Sequence, residues 1–401
     1  MLALPRWMPR LAFAPPKTAP RGDALVCVFL RGAADVLNMV VPHGDDSYYT
    51  LRPTLAIARP DDRRTTQALR ATDLDGFFGL HPALAPLLSL WQRRELAIVH
   101  ACGAPDESRS HFAAMDLVER GVSTGAGPPS GWIGRHLAAH DTGNQSPLRA
   151  IGIGEATQRA LYGPVNAAAL TSIADFHLGG SGREDAAFAR ALARLYESDA
   201  VLASGGRATI ELLSLLERLA PGRTLAGGGA IYPAGDFGTG LAQIARLIVA
   251  EVGLEAACID LGGWDTHVAQ GGGEGLMARL LADLAGGLAA MRTDLGDALA
   301  RTTVVVMSEF GRRAGENGGL GTDHGHGSMM MVIGGGVRGG RVYGAWPGLS
   351  RERLVGPGDL AVTTDYRDVL GEVVLRRLGN SRLDLVFPDY APALVELCAP
   401  L

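Results

Sequence analysis

Short apolar runs and longer amphipathic stretches alternate along most of this chain. Ala24 to Leu30 is apolar throughout and reads as a buried strand that delivers Arg31-Gly32-Ala33-Ala34-Asp35 to a loop. Leu96 to Ala101 predicts a second strand and Arg149 to Ile153 a short third. From Ser110 to Arg120 the apolar positions recur at helical spacing, with Phe112, Met115 and Val118 on one face. Further on, Thr239 to Val252 predicts a helix, Leu254 to Leu261 a strand, Leu276 to Leu299 a long helix and Thr302 to Met307 a strand. A second apolar run, Met329 to Ile333, follows, and Thr364 to Leu378 predicts a C-terminal helix. Strand-like runs separated by helical patterns are the signature of βαβ units. The expected fold class is therefore α/β, with a doubly wound, mainly parallel sheet and helices on both faces.

With 401 residues and nearly half of them hydrophobic, the chain supports one large core, expected as a single domain over residues 23–401. Glu184 to Leu219 is amphipathic at helical spacing, either an inserted helical segment within residues 184–230 or ordinary outer helices. Residues 1–22 read as a leader or the remnant of an export signal. Ala12-Phe13-Ala14 fits a small-x-small cleavage site, but the stretch before it is short and broken by Pro5 and Pro9. No run approaches the roughly 18 to 20 apolar residues that span a bilayer, so no membrane span is expected. A net charge of −5 with no basic block argues against a nucleic-acid partner. Cys27, Cys102, Cys258 and Cys398 are far apart and three of them sit in or beside apolar runs, which predicts buried free thiols. None of the Gly-rich segments follows a strand with the spacing of a dinucleotide fingerprint.

Chemistry gathers where strands give way to loops, the edge at which open α/β sheets bind ligands. Thr322 to Ser328 (T-D-H-G-H-G-S) lies between the last two apolar runs, and Gly262 to His267 (G-G-W-D-T-H) follows the run ending at Leu261. Carboxylate and imidazole are the ligands of zinc and related ions, and catalytic sites keep one position open. Asp265, His267, Asp323 and His324 are candidate metal ligands on this ground, and glycines at 321, 325 and 327 let the second loop bend tightly. Glu309, at the exit of the Thr302 to Met307 strand, is a further candidate, with Arg312 and Arg313 able to pair with it or to clamp a substrate oxygen. Asp35 is either a ligand or the cap of the next turn, and Asp260 competes for a ligand role. Arg31 binds substrate or pairs with a carboxylate, and His326 is a ligand-orienting or substrate-bonding group.

Ser110 opens the helix whose first turn holds His111. A hydroxyl there sees the positive end of the helix dipole and unpaired N–H groups, which favour a developing oxyanion. Ser110 is thus a candidate nucleophile or an ordinary N-cap, with Ser108 as the alternative to it in either role.

The chain resembles a bacterial family known as domain of unknown function 1501. The resemblance rests on F-L-R-G-A-A-D-V-L-N at Phe29, R-P-T-L-A-I at Arg52, G-L-H-P-A-L at Gly79, R-S-H-F-A-A-M-D at Arg109, G-W-I-G-R-H at Gly131, G-G-W-D-T-H, M-S-E-F-G-R at Met307 and G-T-D-H-G-H-G-S. That family looks like a branch of the alkaline phosphatase and sulfatase superfamily. The resemblance implies an alkaline phosphatase-like fold and a hydrolase of phosphate or sulfate esters, with a small or polymer-borne anionic substrate. It also implies one or two divalent ions per chain, zinc first and calcium, magnesium or manganese as alternatives. Asp35, Asp265, His267, Glu309, Asp323 and His324 would bind metal, and Ser110, His326 and Arg31 would serve catalysis. Two alternatives stay open: a non-catalytic envelope or secreted binding protein on the same fold, and a metal-dependent esterase or peptidase. Members often carry a twin-arginine export signal, which implies a periplasmic or secreted protein. Residues 1–22 contain no paired arginines, so a cytoplasmic location stays open. Two spacings depart from the superfamily pattern: Trp264 stands four residues after Asp260, and D-H-G-H lies downstream of its strand instead of directly after it.

Overall fold

The alternation of apolar runs is realised as strands buried on both faces. In the computed structural model, which describes residues 22–144, 146–171 and 229–401, the main sheet is built from nine strands. They are β1 (Ala24–Leu30), β2 (Leu96–Gly103), β3 (Ala150–Ile153), β4 (Ala168–Leu170), β5 (Ala256–Leu261), β6 (Thr302–Ser308), β7 (Ser328–Gly334), β8 (Arg341–Tyr343) and β9 (Thr364–Asp365). The expected leader, apart from Gly22, and the expected helical segment 184–230, apart from Gly229 and Ala230, lie outside the described residues.

The strand order is β8-β2-β7-β6-β1-β5-β3-β4, with β9 beside β2. Every pairing is parallel except those of β7, which runs antiparallel to both of its neighbours, β6 and β2. Reversing that one strand has a direct consequence for function. The carboxyl ends of β1, β2, β5 and β6 and the amino end of β7 all open onto the same edge.

Successive side chains of a strand face opposite sides of the sheet, and both sides are covered. Val26, Val28 and Leu30 of β1 pack with Leu241 and Ile244 of α3 (Asp236–Val249) and Leu281 and Leu284 of α4 (Leu276–Leu295). Leu25, Cys27 and Phe29 pack on the other side with Val118 of α1 (His111–Arg120), Ile133 and Leu137 of α2 (Trp132–Ala139) and Val369 and Leu370 of α5 (Tyr366–Arg376). Burial on both faces removes the polar–apolar alternation of a half-exposed strand, which is why these segments read as continuous apolar runs. Among the described residues no helix is long and apolar enough to cross a membrane. All four cysteines are free and buried, and burial pushes the Cys102 and Cys258 thiols well up from their ordinary range.

Candidate metal centre

Five chain segments meet at the shared edge. The connection from β6 to β7 folds back on itself as an extension of that antiparallel pair. Gly311 N–H donates to His326 O, Gly325 N–H to Gly311 O and Arg313 N–H to Asp323 O. D-H-G-H is distant from its strand in sequence yet returns beside the residues that leave β6. Gly321, Gly325 and Gly327 have ordinary negative φ, so they do not serve a left-handed bend. They are there for close approach: a Cβ on Gly325 would stand 2.4 Å from the Arg312 carbonyl carbon. Gly32, in the loop after β1, has both constraints, a φ of +114° and the Asp265 amide nitrogen 2.7 Å from where its Cβ would be.

At the centre, the Nε2 atoms of His111 and His324 and one oxygen of Asp265 come together as a set that could hold an ion, with His267 Nε2 beside His324 and Asp265. His324 Nε2 lies 2.9 Å from His111 Nε2 and 2.9 Å from His267 Nε2. Asp265 Oδ1 lies 3.1 Å from His324 Nε2, 3.0 Å from His267 Nε2 and 3.4 Å from His111 Nε2. The far side of each ring is committed elsewhere. His111 Nδ1 donates to Glu309 Oε1 at 2.7 Å, His267 Nδ1 to Asp323 Oδ1 at 3.1 Å and His324 Nδ1 to the Arg109 carbonyl at 2.8 Å. Each partner can only accept, so the proton sits on Nδ1 and the Nε2 lone pair faces the centre. Acceptors gathered in this way repel one another unless positive charge lies beside them, and Arg312 supplies part of it, reaching Asp265 Oδ1 at 2.6 Å and lying 3.5 Å from His267 Nε2. The donor set, three imidazole nitrogens and a carboxylate oxygen, suits zinc and its first-row neighbours. Ligands about 2.0–2.1 Å from a tetrahedral ion are about 3.3 Å apart, close to the mutual separations of His111 Nε2, His324 Nε2 and Asp265 Oδ1. Phe310 stacks beneath His111 with ring centroids 5.0 Å apart, forming an apolar floor.

Arg312 ties these loops together. Fully buried, it donates from Nε to Ala33 O (2.7 Å), from Nη1 to Thr322 O (2.9 Å), and from Nη2 to Gly32 O (2.6 Å), Trp264 O (2.9 Å) and Asp265 Oδ1 (2.6 Å). Partial burial works against the Asp265 charge, but the Arg312 guanidinium outweighs it, and the carboxyl is held down to about 2. Asn317 and His267 likewise hold Asp323 below its ordinary range. A depressed carboxyl contributes stability above its unfolded pKa and loses it as pH falls through the folded value. The Asp265 contribution is therefore present at neutral pH and lost only as pH falls towards 2. With its side chain half exposed, solvent screening keeps that contribution small.

Of the residues singled out in the sequence, Asp265, His267 and His324 have atoms in the inner cluster, and Glu309 and Asp323 stand behind it on the Nδ1 sides of two rings. Glu309 is buried, also accepting from Gly32 N–H at 2.9 Å. Three residues are placed elsewhere. Asp35, fully buried, is engaged on both oxygens by Arg52 and by Gln270. Arg31 pairs with Glu119 and Asp260 and lies over the Phe29 ring. Burial opposes its charge, but those two carboxylates hold its pKa above the ordinary arginine range. His326 bonds the Ala104 carbonyl beyond β2, latching its loop to that strand's end. Ser110 is exposed at the start of α1, between Arg109, whose carbonyl receives His324, and His111, and its hydroxyl does not cap the helix. His111 is the member of the cluster that sequence reading left unassigned. The available signal was its place in the first turn after Ser110, on the loop that leaves β2.

Asp35 and the cluster are separable by experiment. Asp35→Asn leaves the Arg52 guanidinium without its charge partner in a fully buried setting, where losing one partner typically costs about 3–5 kcal/mol. The expected result is a lower midpoint in urea with an unchanged metal stoichiometry at saturation. Loss of metal at unchanged stability would instead make Asp35 a ligand.

Residues 23–371 match a family described as protein of unknown function (DUF1501). No curated relative matches the sequence. One similar solved structure is the PsFucS1 sulfatase from Pseudoalteromonas sp., 12% identical over 95% of this chain and 71% of that chain, with a TM-score of 0.34. A likeness of that size carries no inference about activity.

Proposed function

The chain belongs to the DUF1501 family, and on that premise we propose that it is a metal-dependent hydrolase of phosphate or sulfate esters built around a single divalent ion. One observation carries the reading: His111 Nε2, His324 Nε2 and Asp265 Oδ1 lie within ion-binding reach of one another with His267 Nε2 beside them, while every Nδ1 is committed to an outer acceptor. His111, His267, His324 and Asp265 would hold the ion. Glu309, Asp323 and the Arg109 carbonyl fix ring tautomer and orientation in the way that outer partners of metal-bound histidines do. Such an ion supplies Lewis acidity towards an ester oxygen and lowers the pKa of a bound water or hydroxyl.

The chain's own groups supply the rest. Arg312 keeps Asp265 anionic at every physiological pH. Arg313, with over a third of its side chain exposed and 4.0 Å from Asp323, adds positive charge beside the cluster, which favours an anionic substrate. Ser110 is the nucleophile of this reading. An N-cap serine normally spends its oxygen on a backbone N–H of the first turn, whereas this one does not. It stands at the positive end of a ten-residue helix, next to His111.

A panel of aryl phosphates, aryl sulfates and acyl esters, run with the metal-loaded protein, tests the reaction class. Turnover of phosphate or sulfate esters is expected. Turnover of acyl esters alone would favour an esterase, and binding without turnover would favour a non-catalytic protein. Ser110→Ala is expected to lower kcat by about 10³-fold or more while metal content and melting temperature stay at wild-type values, because no capping bond is lost. Near-normal activity in Ser110→Ala would leave a solvent water as the attacking group.

A further inference from the structure

We propose that Gln270 is a positioning residue that sets the spacing of the two ligand-bearing loops and thereby the affinity of the metal centre; this rests on the metal-centre reading above. Gln270 is fully buried, and its side-chain hydrogen bonds go to Thr266, Thr322 and Asp35 and to none of the histidines. Its Oε1 accepts from two hydroxyls at once, Thr266 Oγ1 at 2.8 Å and Thr322 Oγ1 at 2.7 Å. Thr266 stands between Asp265 and His267, and Thr322 immediately precedes Asp323 and His324. A single oxygen therefore anchors both loops, each at a residue adjacent to the cluster.

The orientation of that amide is itself dictated. Gln270 Nε2 donates to Asp35 Oδ2 at 2.6 Å, and a carboxylate can only accept, so the amide cannot flip. Asp35 is pinned in turn by the fully buried Arg52, which reaches it through both terminal nitrogens and also donates to the carbonyls of Ala314 and Arg313. The line Arg52–Asp35–Gln270 ends on the two threonines. The backbone adds three direct ties, Thr322 N–H to Thr266 O at 3.2 Å, Ala269 N–H to Gly319 O at 2.9 Å and Gln270 N–H to Leu320 O at 2.9 Å, and Arg312 bridges Thr322 O to Trp264 O and Asp265. The Gln270 side chain is the tie that fixes the two threonine side chains relative to each other, and without it a small pivot about the remaining ties changes the 2.9 Å separation of His267 and His324 Nε2. A metal site tolerates shifts of about 0.2 Å in its ligand distances, so a small pivot weakens binding. A ligand role for Asp35, the reading its sequence context suggests, is thus replaced by a role two bonds further out.

The test is metal affinity, measured by zinc competition with a chromophoric chelator, alongside the melting temperature of the metal-free protein. Gln270→Met keeps the length of the side chain and removes all three bonds. Its expected effect is a Kd about 10- to 100-fold weaker, the usual loss for an outer partner. Thr322→Val removes one hydroxyl at constant shape and is a milder variant should Gln270→Met fold poorly. It is expected to weaken binding several-fold alone and to add nothing in the Gln270→Met background. A purely structural role would lower the metal-free melting temperature and leave Kd within about twofold of wild type in both variants, and that result overturns the proposal. Independent, additive losses of affinity in the double variant also overturn it. The wild-type arm separates this from the parent reading: a wild-type protein that takes no zinc removes the metal centre itself, before any variant is compared.

Discussion

Arg312→Met is expected to destabilise the metal-free protein by about 4 kcal/mol or more, and to abolish metal binding in whatever fraction still folds. The substitution leaves the carbonyls of Gly32, Ala33 and Thr322 without the donor they have here in a buried setting, and takes one of two donors from the Trp264 carbonyl. Each unsatisfied group costs about 1–3 kcal/mol, and water entering the gap recovers part of the sum. Against a typical total stability of about 5–15 kcal/mol, the loss is a large share. Asp265 loses the donor that holds it in place, so the ligand loop after β5 is freed as well. Arg312→Lys is not expected to rescue, because an ammonium is a single point and cannot serve acceptors that three separate guanidinium nitrogens now reach. Urea denaturation of the two variants checks this. A lysine variant with wild-type stability would mean that the loops hold together without the guanidinium.

The second large effect is expected at His111. His111→Ala removes an inner nitrogen, and turnover is expected to fall by more than the ~100-fold that loss of an outer partner costs. Glu309→Gln, which alters the acceptor shared by the His111 ring and Gly32 N–H, is expected to weaken metal affinity by about 10- to 100-fold. His326→Ala breaks the latch to Ala104 and is expected to cost about 1 kcal/mol of stability with little change in turnover. That order, His111 above Glu309 above His326, is checked by steady-state kinetics with chelator competition. His326→Ala proving as damaging as His111→Ala would place the imidazole of His326 in the chemistry.

The strands were legible because burial on both faces leaves an unbroken apolar run. Ala24 to Leu30 is the same in sequence and structure, and the runs at Leu96, Arg149, Leu254, Thr302 and Met329 differ from β2, β3, β5, β6 and β7 by no more than two residues at either end. The long helix expected to Leu299 stops at Leu295, where Gly296 takes a positive φ and a 3₁₀ turn follows. What the pattern did not carry was contact between distant segments. His111 meets Glu309 across 198 residues and His324 across 213, and no local spacing encodes such meetings. Asp35 had the sequence context of a ligand, a carboxylate just past a strand. Its buried partner Arg52, 17 residues on, decides its role, and an isolated arginine in a loop gives no periodic signal. Glu309 and Asp323 were found by residue type and strand position, but position alone does not distinguish an inner ligand from the group that orients one.

Metal stoichiometry tests the central claim most directly. Purified protein, stripped with chelator, reloaded with zinc and freed of excess, is analysed for metal per chain, with the His111→Ala/His324→Ala double variant in parallel. One ion per chain in the wild type and none in the double variant is the expected result. A wild-type chain that retains no ion, or a double variant that retains one with wild-type affinity, would contradict a centre built on His111, His267, His324 and Asp265.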